Sequence, residues 1–331
     1  MKYRVHIPSL NLPDVMPSSE VLKSWRTNIH DYEPDFWEFH YETRRYLGGL
    51  TADQLAKRYA DIVRNFRVFA RSESHKIPIG CMFGAWYWYK KEHQTRYEFY
   101  IRKRELPCAL PFEIAAIPEG QEQFHGRFPD GKQIVRYGEV GWLKEFLEGT
   151  VRITAAHNYR AMESDGARFD DELNKHRFMP AAYTKATTVR GQEIPLTSDI
   201  RSTISAPNYY VLCTSCEWSS ELFLEFKADA CVVIRRPDIL ANRLRAATEH
   251  ELNGWYFLDG TVQYFDPYEW TEQQPFDAPN CKDFRYAYQR EYRFLWDPMD
   301  TGVSAFGHWT VDLGSLNDIA ELYDASGVRI G

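Results

Sequence analysis

The sequence predicts an α+β fold, in which a mixed, mostly antiparallel β core carries flanking helices and follows an N-terminal helical and aromatic domain. Three observations support this prediction. Apolar residues recur at helical spacing from 52 to 70, and short strand-like runs alternate irregularly with helices between 150 and 296. The chain has 331 residues, of which 44% are hydrophobic and 15% aromatic, which is enough for a substantial core.

The N-terminal part contains one clearly predicted helix. Thr51-Ala52-Asp53-Gln54 is a capping signature, so a helix is expected over roughly 52–70. The aromatic runs 78–88 and 96–103 predict strands or a packed hairpin. Pro and Gly are frequent from 106 to 130, which indicates a connector. We therefore predict one domain over 1–130 and a second over 131–331.

The second part alternates helices with short strands. A short amphipathic helix is expected from Tyr137, stopped by Gly149 and followed by a strand over 150–154. Further helices are predicted around 218–227 and 238–248. Further strands are predicted at 184–190, 209–215, 230–235, 254–258, 261–265 and 285–296. Within the last strand, Gln289, Glu291 and Arg293 are expected to share one face.

Charge is unevenly distributed. The net charge is −7, but residues 1–130 carry 19 Lys/Arg against 17 Asp/Glu. The excess is concentrated in 64–104, with ten basic and three acidic residues. Cations among aromatic side chains are typical of a surface for single-stranded nucleic acid. The candidate contacts are Lys90, Lys91, Arg96, Arg102, Lys103 and Arg104. Alternatively, the aromatic residues form a core and the cations a solvated edge.

Metal and membrane chemistry are not indicated. Cys213-Thr214-Ser215-Cys216 has no second cysteine pair or spaced histidines, so no metal is expected. The chain begins with the polar run Met1-Lys2-Tyr3-Arg4 and has no apolar run of membrane-spanning length, so a cytoplasmic protein is expected.

Three short elements occur in an informative order: Arg152 on a strand, the strand end Val211–Ser215, and Gln289-x-Glu291. This order resembles the R-S-E clade of mono-ADP-ribosyltransferases, of the bacterial toxin and phage-defence type. Residues 149–163 resemble the first strand and loop of such proteins, and 210–215 their central strand. The resemblance covers about 135–300, with Cys213 in place of the first serine of the family's Ser-Thr-Ser.

The resemblance implies an ADP-ribosyltransferase-like core with NAD as substrate. Cleavage of the nicotinamide–ribose bond passes through an oxocarbenium-like centre, which a facing carboxylate stabilises. Glu291 would supply this carboxylate, and Gln289 would contact the acceptor. Arg152 would bind the phosphates or ribose of NAD. Arg160 is a second candidate for that contact.

The remaining roles follow from the same resemblance. Thr214 and Ser215 would line the pocket and hold the ribose or the backbone, and Tyr159 or Trp218 would stack on nicotinamide. The implied protein is a toxin or anti-phage effector with an antitoxin partner. Its acceptor would be nucleic acid, RNA ahead of DNA, or protein.

Structural interpretations of the same residues stay open. Glu291 could pair with Arg293 or Arg152 for stability, Arg152 could be a surface ion-pair partner, and Thr214 and Ser215 could cap the following helix. Two other functions also stay open. One is a non-catalytic nucleic-acid-binding or interaction module, and the other is NAD hydrolysis at the same site.

Overall fold

Seven helices and fourteen strands occur in a computed structural model that describes residues 34–70, 85–107, 133–160, 171–181, 186–268, 277–300 and 302–330. The helices are α1 Pro34–Arg44, α2 Ala52–Ala70, α3 Ala85–Ile101, α4 Val140–Glu148, α5 His157–Arg160, α6 Ser220–Glu225 and α7 Pro237–Thr248. The strands are β1 Ile134–Gly138, β2 Thr150–Ala155, β3 Asn174–Met179, β4 Ala186–Thr187, β5 Glu193–Ile194, β6 Ile200–Ser205, β7 Tyr210–Ser215, β8 Ala230–Ile234, β9 Trp255–Thr261, β10 Gln263–Phe265, β11 Cys281–Asp283, β12 Glu291–Pro298, β13 His308–Asp312 and β14 Ala320–Asp324. Two 3-10 helices cover Ala278–Asn280 and Phe284–Gln289.

Strand β7 is the centre of an eight-stranded sheet whose pairs are all antiparallel. One edge of β7 pairs with β12 along its whole length, and β12 pairs in turn with β9. The other edge pairs with β2 near Tyr210 and with β1 at Ser215, so the sheet divides there into the branches β2–β13 and β1–β8–β14. The predicted α+β class with mostly antiparallel strands is confirmed.

The two faces of this sheet differ in polarity. Leu212 and Phe294 point to an apolar face covered by α4 and α7. Opposite residues of an antiparallel pair project to the same side. The other side therefore carries Cys213 with Arg293 and Ser215 with Glu291. We call this second side the Glu291 face.

The N-terminal helices share a hydrophobic core with the second half of the chain. Tyr59 and Trp88 belong to the same buried cluster as Val262 and Phe284. Arg58 on α2 also forms a fully buried, two-bond ion pair with Asp266, with N–O distances of 2.9 and 2.8 Å. The boundary predicted near residue 130 lies outside the described residues.

Helix α2 occurs at its predicted position, whereas 96–103 is not a strand. Thr51 N–H donates to Gln54 Oε1 at 2.9 Å and Gln54 N–H donates to Thr51 Oγ1 at 3.2 Å, which is the expected reciprocal cap. Residues 96–101 instead belong to α3. This helix is buried on several sides at once, including Lys91, Glu92 and Thr95, so it shows no single apolar stripe.

In the second half, α4, β2, β7, β8 and α7 occur close to their predicted ranges. Two predicted strands are wrong in extent. Within 186–190, the described part of the predicted strand 184–190, only Ala186–Thr187 is a strand, and 284–289 is a 3-10 helix ahead of β12. None of the described helices is long and apolar enough to cross a membrane.

Candidate active site

Strand β12 begins at Glu291 after a sharp turn. Arg290 has a φ of 43°, in the left-handed region, and it separates the 3-10 helix from the strand. Ser215 Oγ donates to the Gln289 carbonyl at 2.7 Å, and the Cys216 N–H donates to the Arg290 carbonyl at 2.7 Å. The end of β7 therefore closes the turn. Gln289 is not on the strand, which corrects the predicted continuous strand.

Lys282 brings Gln289 and Glu291 together nevertheless. Its ammonium on β11 donates to Gln289 Oε1 at 3.1 Å and to Glu291 Oε2 at 3.0 Å. All three side chains are buried. The amide and the carboxylate thus converge on one cation, not on solvent.

Arg293 forms the second half of the network. Its Nε donates to Glu291 Oε1 at 2.8 Å and its Nη2 donates to Glu172 Oε1 at 2.8 Å. Nη1 donates to the Pro279 carbonyl at 2.7 Å. The guanidinium has no solvent exposure, and Lys282 also lies 3.4 Å from Glu172. The pairing of Glu291 with Arg293, which the sequence left open as a structural alternative, is present.

These cations determine the charge state of the carboxylates. Burial by itself would raise the pKa of Glu291, but Arg293 and Lys282 hold that pKa well below its ordinary value. Burial likewise opposes ionisation of Glu172, yet Arg293, Lys175 and Lys282 lower its pKa. Both groups are therefore ionised at neutral pH. A fixed anion with little surrounding water can stabilise a positive charge that develops beside it.

Cys213 and Tyr159 extend the network over the Glu291 face. Burial and the nearby Glu291 carboxylate, to which the thiol hydrogen-bonds, raise the pKa of Cys213. Burial and a hydrogen bond with Cys213 raise the pKa of Tyr159 far above its ordinary value. Tyr159 therefore directs its hydroxyl toward Cys213 and Glu291. Tyr159 as a whole is half-buried, and its stacking on nicotinamide stays a prediction.

The hydroxyls of Thr214 and Ser215 hold the backbone of the site. Thr214 Oγ1 donates to the Tyr292 carbonyl at 2.9 Å, and Ser215 Oγ also accepts the Glu217 N–H at 3.1 Å. The alternative in which they cap α6 is wrong, because Ser219 occupies the N-cap position. Trp218 packs on Phe223 in the core with ring centroids 5.6 Å apart, so it cannot stack on a ligand.

The two candidate arginines lie on β2 and α5. Thr154 is opposite Val211 of β7, so Arg152, two residues earlier, projects from the Glu291 face and is exposed. It is two strands from β12, about 10 Å laterally at the usual strand spacing. Arg160 is the last residue of α5, and its side chain is outside the described part of the structure.

The residues of the predicted basic surface are divided between the interior and the exterior of the protein. Lys91 is buried with its ammonium 4.3 Å from the Tyr46 ring centroid, and Arg96 is buried 2.9 Å from Glu92. Arg102 donates to the carbonyls of Leu47, Gly48 and Leu50. Lys90 is half-buried, whereas Lys103 and Arg104 are exposed. Burial removes Lys91 and Arg96 from any nucleic-acid contact.

Sequence reasoning missed two charged members of the network. Glu172 is 121 positions before Arg293, and Lys282 belongs to a three-residue strand, so no local pattern indicates either. Arg293 had a signal, namely its two-residue spacing from Glu291. Among the described residues, no group of three His, Cys, Asp or Glu side chains is arranged to hold a metal ion.

Comparisons of the chain with protein-family models, curated proteins and solved structures give no match. Function is therefore inferred from the geometry of Glu291 and its neighbours.

Proposed function

We propose that the protein cleaves the bond between nicotinamide and ribose in NAD and transfers the ADP-ribosyl group to a nucleophile. The observation that carries this proposal is the buried, ionised carboxylate of Glu291, on the same sheet face as the exposed Arg152. The order of these elements along the chain, with Thr214 and Ser215 between them, supports the resemblance to R-S-E mono-ADP-ribosyltransferases.

Glu291 would stabilise the ribosyl cation. As the C–N bond breaks, its electron pair leaves with nicotinamide and positive charge develops on the ribose. Arg293 and Lys282 each bond to the carboxylate, so its orientation and its charge are fixed before the substrate arrives. The same two cations offset part of the negative charge of Glu291 and so weaken its electrostatic stabilisation of the ribosyl cation. A hydrogen bond from a ribose hydroxyl to Glu291 is therefore its more specific contribution.

The acceptor in this proposal is a nucleic acid, RNA ahead of DNA, or a protein. Lys103 and Arg104 are the members of the predicted basic surface that are exposed enough to contact phosphates. The biological role would be that of a cytoplasmic toxin or anti-phage effector, held inactive by an antitoxin partner.

Hydrolysis of NAD is a second candidate, and the position of Gln289 favours it. Its amide oxygen accepts from Lys282, and its nitrogen lies 3.4 Å from the Tyr288 hydroxyl. The residue expected to contact a macromolecular acceptor is thus buried and engaged. Water could take the place of that acceptor without any contact from Gln289.

Incubation with NAD labelled in its adenylate half separates these functions. Both release nicotinamide, but transfer labels a macromolecule and hydrolysis yields free ADP-ribose. Glu291→Gln should reduce nicotinamide release about 10²–10³-fold. The matched control is Glu321→Gln. Glu321 is a buried carboxylate on β14 that pairs with Arg235 and Arg329, and its replacement should leave nicotinamide release unchanged.

Two results would overturn the proposal. One is wild-type protein that releases no nicotinamide from NAD. The other is a folded Glu291→Gln variant that releases it at the wild-type rate. Either result would favour the remaining alternative, a non-catalytic nucleic-acid-binding or interaction module in which the network around Glu291 is structural.

A further inference from the structure

Strand β9 is an open edge of the eight-stranded sheet. It pairs with β12 on one side, and none of the described strands pairs with its other side. The Val262 N–H donates to the Glu291 carbonyl, and the Met299 N–H donates to the Gly254 carbonyl. Even-numbered positions of β9 therefore bond to β12, because bonding alternates along an antiparallel strand. The N–H and C=O groups that point away from β12 are those of Phe257, Asp259 and Thr261.

Exposed apolar side chains flank this open edge on the Glu291 face. Gly260 is opposite Arg293, so Leu258 and Tyr256, two and four residues earlier, project to the same side as Arg293. Leu258 is 48% exposed and Tyr256 is 56% exposed. The charged residue of β9, Asp259, projects to the other face and accepts a hydrogen bond from the Tyr292 hydroxyl. The exposed side chains of β13, at the opposite end of the sheet, are all polar. An edge flanked by exposed apolar side chains is suited to pairing with another strand.

A second copy of β9 can pair with this edge in a register that uses the whole strand. Outward-facing groups must bond to outward-facing groups, so odd-numbered positions pair with odd-numbered positions. An antiparallel overlap centred on Leu258 satisfies this condition over all seven residues of Trp255–Thr261. Phe257 of one copy then exchanges both backbone hydrogen bonds with Asp259 of the other copy. Each Asp259 is thus opposite a phenylalanine, so the register avoids placing like charges directly opposite each other.

Side chains on the Glu291 face are complementary in the same register. Leu258 of one copy lies directly opposite Leu258 of the other, at a non-hydrogen-bonded position where side chains approach most closely. Tyr256 lies opposite Gly260 of the other copy. An added Cβ at Gly260 would meet no atom within 4 Å, so there is open space beside this glycine. The exposed ring of each copy can therefore pack over the glycine of the other.

We propose that the protein forms a twofold symmetric dimer in which β9 pairs with β9 of a second copy. The twofold axis passes through the Leu258 pair perpendicular to the sheet, so two eight-stranded sheets become continuous. Both Glu291 faces then lie on the same side of the joined sheet. One pair of seven-residue strands is a small interface, so we expect a weak dimer with a dissociation constant on the order of micromolar to millimolar. The dimer does not depend on cleavage of NAD.

Sedimentation equilibrium from low micromolar to near-millimolar protein concentration tests this dimer. The average mass of the wild-type protein should rise with concentration from 38.9 kDa toward twice that value. Leu258→Lys and Leu258→Glu each place like charges opposite each other at the twofold axis, so each variant alone should weaken the dimer at least about tenfold. An equal mixture of the two variants should dimerise again, because opposite charges then face each other.

The control Leu224→Lys replaces an exposed apolar side chain on α6 and should dimerise as the wild type does. Thermal melting confirms that each variant is folded. A wild-type protein that stays at 38.9 kDa at the highest concentration overturns the dimer. A dimer that Leu258→Lys leaves unchanged overturns the β9 interface, and a mixture of the two charged variants that stays monomeric overturns the register centred on Leu258.

Discussion

Replacing Arg293 with methionine should destabilise the protein by about 3–5 kcal/mol at pH 7, because it leaves buried carboxylates without their main counter-charge. The guanidinium has no solvent exposure and bonds to Glu291, Glu172 and the Pro279 carbonyl at 2.7–2.8 Å. Lys282 remains close to both carboxylates, at 3.0 and 3.4 Å. Its partial compensation places the expected loss at the lower end, about 3 kcal/mol.

The loss should depend on pH in a defined direction. In the wild type the folded-state pKa of Glu291 is lowered, so its stabilisation is present above the unfolded pKa of about 4.3 and is lost as the pH falls below it. Without Arg293, burial dominates and the folded-state pKa rises above that of the unfolded chain. The variant should therefore lose stability as the pH increases from about 4.3 to 7. The difference between the two proteins grows over this window.

Urea denaturation at pH 5 and pH 7 measures both effects. Arg236→Met is the matched control, because it removes an exposed arginine paired with Asp238 and should produce no measurable change. Adding Glu172→Gln to Arg293→Met should recover part of the loss by removing one uncompensated charge. A loss below about 1 kcal/mol that is equal at both pH values would refute this account of the network.

Three further predictions concern Arg58, Gly149 and the protonation of Glu291. Arg58→Met should lower the free energy of unfolding by about 3–5 kcal/mol, measured by urea denaturation, because it breaks a buried ion pair. Lys57→Met, on the exposed side of α2, should lower it by less than about 0.5 kcal/mol. Equal losses in the two variants would contradict the burial of the Arg58–Asp266 pair. Gly149→Ala should lower the melting temperature, because Gly149 has a φ of 111° and an added Cβ would collide with the Gly314 backbone. The control Gly141→Ala, on α4 where an added Cβ meets open space, should raise the melting temperature slightly. The pKa of Glu291 is lowered, so kcat/KM for NAD should not fall through protonation of Glu291 between pH 8 and pH 5. A fall in kcat/KM below about pH 6 that is absent in the Glu291→Asp variant would count against this lowered pKa.

Local sequence patterns were sufficient to predict the helices and strands that bury only one face. Helix α2 was predictable because the Thr51–Gln54 cap and a single apolar stripe are both read within a few turns. Gly149 marked the end of α4 because its left-handed conformation is one that glycine adopts without strain. Helix α3 was misassigned because it is surrounded by protein and has no single apolar stripe. Strands β13 and β14 were not predicted at all, although β13 alternates exposed with half-buried or buried residues.

The sequence by itself determined the α+β class, the position of Glu291 beside an arginine two residues later, and the order of Arg152, Thr214 and Glu291 along the chain. Only the tertiary structure decided what surrounds Glu291. Glu172 and Lys282 come from distant segments, and their charges interact because packing removes water from between them. Burial also determined that Lys91 and Arg96 are internal while Lys103 and Arg104 are exposed. Charge can be read along a chain, but the solvent exposure that gives it an effect depends on contacts between residues far apart in sequence.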